Sequence, residues 1–283
     1  MKLMNVKSIG LIANINSENA IKTAEKIIKK LKEMNIEVIV EKKLAEKIKW
    51  KNNKEKIEKM KANLIAVIGG DGTVLRVTRL LEKSETPILV INAGTVGFLS
   101  EITPKEIVDA IEMIQKDKFK IEQCTRIKAK INNIEVTDAL NEITIITNRP
   151  VKVLNLEVIK NDREIIFSGR ADGIIIATKI GSTAYALSAG GPIIDPELDV
   201  LTIVPLCPLK IYQKPIVIPI TSKITIKIKR KGSDAIIVAD GQIYKEAPLE
   251  STITIEKSNR KTVFIRLKKS FYEKLRERLI KNV

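Results

Sequence analysis

Apolar residues recur along the chain in two rhythms, and the rhythm changes near residue 119. Upstream, bare apolar runs alternate with amphipathic ones. Ser8-Ile9-Gly10-Leu11-Ile12-Ala13 predicts a buried strand. A helix follows from about Ser17, with Ile21, Ala24, Ile28 and Leu31 on one face and Ser17 placed to cap it. Ile36 to Val40, Leu64 to Ile68 and Ile88 to Asn92 predict three more strands. Thr103-Pro104-Lys105-Glu106 has the form of a capping box with proline at the first helical position, opening a helix that turns Ile107, Ala110, Ile111 and Ile114 inward. Residues 41 to 62, dominated by Lys and Glu, predict a solvated helix or a mobile flap. Repeated strand–helix units imply an open, Rossmann-like parallel sheet that takes ligands at the carboxyl ends of its strands.

Downstream the apolar runs shorten and follow one another with few helical segments between them. Ile143-Thr144-Ile145-Ile146, Leu154 to Ile159, Ile174-Ile175-Ile176, Ile224 to Ile228 and Ile236-Ile237-Val238 all read as strands. A helical pattern returns from Phe271 to Leu279 and is expected to pack back on the first domain. The predicted fold class is therefore α/β followed by β. The α/β domain takes residues 1–118 with 260–283 returning to it, and the β-rich domain takes 119–259.

Composition narrows the chemistry by exclusion. Histidine is absent, which removes Ser-His-Asp and Cys-His catalysis and any histidine general base. Two distant cysteines, Cys124 and Cys207, cannot supply a Cys/His zinc site or a disulfide framework, which points to the cytosol. The chain opens directly on a strand-like segment without a signal-peptide pattern, and no apolar run reaches the ~20 residues of a membrane span. Proton transfer must fall to a carboxylate, or less readily to Lys, Tyr or Cys.

The formal charge is +16, which suits anionic ligands, either nucleotides or nucleic acid. The lysines are nevertheless spread along helical faces and mixed with Glu, as in Lys22 to Lys30. Aromatics at 4% are too few for a single-strand stacking platform. Abundant Lys, Glu and Ile resemble a thermophile's composition.

The strongest chemical signal is Gly69-Gly70-Asp71-Gly72-Thr73, between the run ending at Ile68 and a helical pattern from Val74 to Leu81. Glycines leave the backbone bare, so its N–H groups can lie against a phosphate. A carboxylate in such a cradle suggests phosphoryl transfer, although an Asx-type turn would also connect strand to helix here. Asn92-Ala93-Gly94-Thr95-Val96-Gly97-Phe98-Leu99 is a second glycine-bearing turn, placed to face the first or to serve as an ordinary β-turn. Asn141-Glu142 suits a ribose diol or an adenine edge, and equally one exposed and one buried strand residue. Gly181-Ser182-Thr183-Ala184-Tyr185-Ala186-Leu187-Ser188-Ala189-Gly190-Gly191-Pro192 reads as a nucleotide-facing surface on which Tyr185 could stack, or as a close-packed small-residue helix. Asp240-Gly241-Gln242 by itself signals only a hairpin.

Taken in order, GGDGT, INAGTVGFL, the Asn-Glu pair, RADG, GSTAYALSAGGPI, the LCP segment and DGQ resemble the NAD kinase family (ATP-NAD kinase, NADP-forming) over nearly the whole chain. GGDGT alone also fits diacylglycerol-type lipid kinases and phosphofructokinases, and the Asn-Glu pair and GSTAY separate NAD kinases from both. The resemblance implies phosphorylation of NAD at the 2′-hydroxyl of its adenosine ribose, with ATP, another nucleoside triphosphate or polyphosphate as donor and Mg²⁺ spanning the donor phosphates.

By position, the resemblance makes Asp71 the general base and gives phosphate to Gly72 and its neighbours. Asn141 and Glu142 would bind the dinucleotide, with Asp172 near its nicotinamide end. Thr183, Ala184, Tyr185 and Ser188 would line the adenosine site and Gln242 would close it. Lys152 and Arg170 match positions where the family often carries basic residues, and Arg76 lies one helical turn past the loop. No metal ligand is assigned to the chain. A cytoplasmic homo-oligomer, dimer or tetramer, acting on small molecules without nucleic acid or membrane, is implied with it.

Two departures stand out. Lys179-Ile180 replaces the family's proline and small polar residue before GSTAY, and Leu209-Lys210 follows Cys207-Pro208 where His-Ser is common. Both bear on the shape of the nicotinamide pocket and on any preference between NAD and NADH. The alternative functions are a diacylglycerol-type lipid kinase of related fold and a non-catalytic nucleotide- or nucleic-acid-binding protein. No helix-turn-helix, RRM or zinc module supports the latter.

Overall fold

A computed structural model of the chain describes residues 6–81, 85–94, 97–210, 212–230, 232–267 and 270–279. They divide into two compact units, residues 1–124 with 262–283, and residues 125–261.

The first unit begins β1 (Ser8–Ala13), α1 (Glu18–Glu33), β2 (Glu37–Glu41), α2 (Lys42–Lys47), β3 (Lys54–Glu55), β4 (Leu64–Ile68), α3 (Asp71–Leu80), β5 (Ile88–Ile91) and α4 (Ile107–Gln115). Its strands run parallel in the order β5-β4-β1-β2-β3. β4 is buried at every position, as expected of a bare apolar strand with a neighbour on each side. α1 is capped by Ser17, whose hydroxyl accepts from the Ala20 N–H, and it buries Ala20, Ala24, Ile27, Ile28 and Leu31 against the sheet. The capping box forms as expected. The Thr103 N–H and hydroxyl both donate to Glu106, in a short 3₁₀ turn that delivers the chain into α4, where Ile107, Ala110, Ile111 and Ile114 are buried.

Residues 41 to 62 are neither a solvated helix nor a flap. Leu44 and Ala45 of α2 and Ile57 and Met60 beyond it are all buried, so the few apolar residues among the lysines pin the segment down.

The second unit is β-rich. Its strands are β6 (Lys120–Ile131, which starts in the first unit), β7 (Ile134–Ala139), β8 (Glu142–Thr147), β9 (Leu154–Lys160), β10 (Glu164–Ala171) and β11 (Gly173–Thr178). After a short α5 (Tyr185–Ser188) come β12 (Val200–Leu206), β13 (Ile216–Pro219), β14 (Ile224–Ile228), β15 (Ala235–Ala239) and β16 (Ile243–Ala247). One antiparallel sheet has the order β13-β12-β11-β8-β15-β16, and β9 pairs between β10 and β14 on the other side of the core. Alternate residues fill that core: Ile143 and Ile145, Ile174 and Ile176, Leu154, Leu156 and Val158, Ile224, Ile226 and Ile228. The period of two makes one face of each strand apolar. β11 is buried on both faces, because Ile175 and Ala177 pack against Ala186 of α5.

The chain then re-enters the first unit. β17 (Thr252–Arg266) pairs antiparallel with β14 and, at Phe264, parallel with β5, and α6 (Phe271–Leu279) follows it within the first unit. The fold is thus an N-terminal parallel α/β unit, a C-terminal β-rich unit and a terminal helix belonging to the first. Among the described residues, no helix is long and apolar enough to cross a membrane.

Candidate active site

In the first unit the site grows from the carboxyl end of β4. Gly70 is extended and serves as N-cap, so α3 starts at Asp71 itself, one turn earlier than the apolar pattern suggests. A Cβ on Gly70 or Gly72 would meet nothing within 4 Å, so the turn faces open space. That space is a cavity of about 480 Å³ lined by Asn14, Ile15, Asn16, Lys43, Gly70, Gly72, Thr73 and Arg76. A helix N-terminus, bare glycines and two cations on one concavity form an environment for phosphate. Arg76 is oriented by Glu41, its two guanidinium nitrogens lying 2.8 and 3.3 Å from the two carboxylate oxygens, with the Glu41 side chain 4% exposed.

The Asp71 carboxylate is gripped by the second glycine turn, the first of the two readings that turn allowed. The Phe98 N–H donates to Oδ2 at 3.0 Å and the Leu99 N–H to Oδ1 at 3.2 Å. Arg278 of α6 approaches Oδ2 at 3.5 Å and covers the Phe98 ring, 4.4 Å from its centroid. Thr95 and Val96 of that turn lie outside the described residues.

In the second unit Asn141 and Glu142 are both buried, which sets aside the reading of them as one exposed and one buried strand residue. Asn141 Oδ1 and Glu142 Oε2 are buried without a hydrogen-bond partner among the described residues. Two orphaned polar atoms on consecutive residues call for partners from a ligand, because leaving such atoms unpaired is costly. Burial first, and the neighbouring Asp240 charge second, push the Glu142 carboxyl up to about 8.

The remaining candidates also lie in the second unit, apart from Arg76. Thr183 and Ala184 are half-buried beside α5, Tyr185 and Ser188 are exposed on it, and Asp172 and Gln242 are half-buried at strand ends. Lys152 and Arg170 are exposed, and the Arg170 carbonyl accepts from the Leu209 N–H of the LCP segment. Lys179 is ion-paired with Asp199 at 3.0 Å, and Leu209 and Lys210 are exposed.

Glu41, Lys43, Thr178 and Arg278 escaped the sequence reading. Glu41 and Lys43 are hidden in a run of like residues, and Arg278 is remote from every motif. By itself the Asp240-Gly241 pair signalled only a hairpin, and Asp240 entered the resemblance as part of DGQ without a role of its own.

The parallel α/β unit with its carboxylate-bearing phosphate turn, followed by the β-rich unit, defines a phosphotransferase of the kinase class. The sequence model of the ATP-NAD kinase N-terminal domain matches residues 9–119, and that of the ATP-NAD kinase C-terminal domain matches residues 140–267. The NAD kinase of Methanothermobacter thermautotrophicus is 43% identical over 273 residues, 96% of each chain. Among solved structures, an NAD kinase from Archaeoglobus fulgidus in complex with ATP is 30% identical, with a TM-score of 0.77 over 95% of this chain and 98% of that one. Yeast NADH kinase complexed with NADH, 23% identical, shares the fold with a TM-score of 0.88 over 98% of this chain and 88% of its own. The chain belongs to the ATP-NAD kinase family.

Proposed function

We propose that this chain phosphorylates the 2′-hydroxyl of the adenosine ribose of NAD, with ATP or another nucleoside triphosphate or polyphosphate as donor, and releases NADP. The observation that carries the reading is the Asp71 carboxylate. It is held by two backbone N–H groups, between two glycines that line a cavity of about 480 Å³, in a chain without histidine. Family membership over nearly the full length supports the same reading and gives no support to a lipid kinase or a nucleic-acid binder.

Asp71 takes the proton of the 2′-hydroxyl as its oxygen attacks the terminal phosphorus of the donor. The bond from that phosphorus to the bridging oxygen breaks, and the shortened donor leaves with the electron pair. Positioning and charge neutralisation dominate such a transfer. The bare turn at Gly70 and Gly72, with Lys43 and Arg76, supplies both on the donor side. A divalent ion such as Mg²⁺, if bound with the donor phosphates, would supply further charge neutralisation beside Lys43 and Arg76. Asn141 Oδ1 accepts a hydrogen bond from the dinucleotide, the Glu142 carboxyl makes another, and Asp172, Thr183, Ala184, Tyr185, Ser188 and Gln242 surround it. Lys152 and Arg170 add positive charge for its phosphates. The same reading carries a cytoplasmic homo-oligomer, dimer or tetramer, from a thermophile.

Purified protein incubated with NAD, MgATP and a coupled NADP-specific dehydrogenase should form NADP, and parallel runs with polyphosphate and NADH rank donors and acceptors. No NADP above background with any donor overturns the proposal.

A further inference from the structure

Every backbone polar group of residues 140 to 142 is satisfied by two residues of the second unit. The Asp240 carboxylate accepts from the Leu140 N–H at 2.8 Å through Oδ2, and from the Asn141 and Glu142 N–H groups at 2.8 and 3.2 Å through Oδ1. Its own N–H donates to the Glu142 carbonyl at 3.0 Å. From the other side, the Thr178 hydroxyl donates to the Leu140 carbonyl at 2.6 Å and its N–H to the Asn141 carbonyl at 2.8 Å. The same hydroxyl accepts the Gly181 N–H at 3.3 Å, and a Cβ on Gly181 would strike the Asn141 carbonyl oxygen.

The consequence is an asymmetry between main chain and side chain. The main chain of the pair is fully bonded, while Asn141 Oδ1 and Glu142 Oε2 stay buried with no partner among the described residues. Asp240 is itself buried, and its left-handed backbone (φ +49°), followed by Gly241 (φ +64°), turns the β15–β16 hairpin tightly enough to aim the carboxylate at three N–H groups. A buried carboxylate kept only to close a hairpin would not need three partners in the bend that leads into β8.

We propose that Asp240 and Thr178 are positioning residues that clamp the Asn141–Glu142 main chain so that both side chains meet the dinucleotide pre-oriented. The inference rests on reading that pair as the dinucleotide's site. On this view the Asp-Gly-Gln turn and the strand before Gly-Ser-Thr act together to fix the acceptor's position and leave the donor's alone. Preorganisation of this kind is felt in binding and in reaction geometry, where displacement by about 1 Å can cost 10²-fold.

Thr178→Val removes the hydroxyl at nearly constant shape, Thr178→Ser restores it, and Asp240→Asn turns an amide NH₂ toward a backbone N–H. Steady-state kinetics with NAD and ATP varied separately should show KM for NAD rising roughly tenfold in Thr178→Val, the size of one lost hydrogen bond. KM for ATP should stay within about twofold. Thr178→Ser should return KM for NAD to near the wild-type value, and Asp240→Asn should exceed the Thr178→Val effect. Active wild type with an unchanged KM for NAD in Thr178→Val, or a Ser variant as impaired as Val, overturns the clamp. So does an equal rise in both KM values. An inactive wild type overturns the proposed function instead. If Asp240→Asn does not fold, the Val and Ser pair decides.

Discussion

Gly97 lies so close to Asp71 that a Cβ added to it would overlap Oδ1 and sit 2.7 Å from Cγ. Glycine is therefore required there for space: the second turn can hold the Asp71 carboxylate only by laying a bare Cα against it. Gly97→Ala should displace the carboxylate and loosen its bonds from the Phe98 and Leu99 N–H groups. We expect kcat to fall by roughly 10²-fold, the cost of misplacing a reacting group. The fall should come with a small change in Tm, because the loop can shift at modest cost. Turnover measured beside a thermal melt checks this, and a fully active Gly97→Ala variant would remove the steric argument.

Asp71→Asn keeps the shape and removes the base. An amide can satisfy one of the two backbone N–H groups and turns its NH₂ toward the other, so orientation suffers as well. Turnover should drop by at least about 10²–10⁴-fold, while NAD affinity measured by calorimetry stays near the wild-type value. Retained turnover would assign the proton to another group.

Glu41→Gln addresses the donor side. Glu41 holds Arg76 through both oxygens beside Gly70 and Gly72, and its charge is shielded from water. The amide loses one of the two charge-assisted bonds and frees the guanidinium to swing. KM for ATP should rise several-fold, and KM for NAD should not follow it. Equal changes in both would mean that Arg76 serves general packing.

The sequence made these elements legible to different degrees for physical reasons. Uniform strands such as Leu64–Ile68 and the Ser17-capped helix declare themselves, because burial on both sides or on one face leaves a simple periodic trace. The glycine turns were readable as chemistry because bare backbone has few other uses. Glu41 and Lys43 were not, since the run from 41 to 62 looks solvated and its few buried residues, Leu44, Ala45, Ile57 and Met60, give no period. Burial of both Asn141 and Glu142 was equally invisible: strand alternation predicts one in and one out. Here Glu142 opens β8 where Asp240 and Thr178 close over it from separate strands. Contacts between residues about a hundred positions apart leave no local pattern.

Lys274 tests how the C-terminal helix is anchored. It is buried with Glu101, its ammonium 2.9 Å from a carboxylate oxygen that also receives Arg266 at 3.3 Å. Burial, then the Arg266 charge, lower the Lys274 pKa. Arg266 in turn donates to the Leu99 carbonyl at 3.1 Å, and the Leu99 N–H holds Asp71. Lys274→Met fills the volume but leaves Glu101 one cation short, and we expect a loss on the order of 3 kcal/mol in urea unfolding. An unchanged midpoint would show that Arg266 alone suffices.

Glu142 makes the stability of the ligand-free protein depend on pH in a defined direction. Its carboxyl stands at about 8 in the fold against an ordinary value of 4.5. Between those values the folded protein keeps a proton that the unfolded chain has released. Stability therefore falls as pH rises through that window and levels off above about 8. Glu142→Gln never ionises and so escapes the loss. The Tm of the variant should match the wild type near pH 5 and exceed it by several degrees near pH 9, where the wild type buries a carboxylate beside Asp240. Melts across that range with NAD absent make the comparison, and parallel curves for the two proteins would mean that Glu142 titrates in the fold as it does in water.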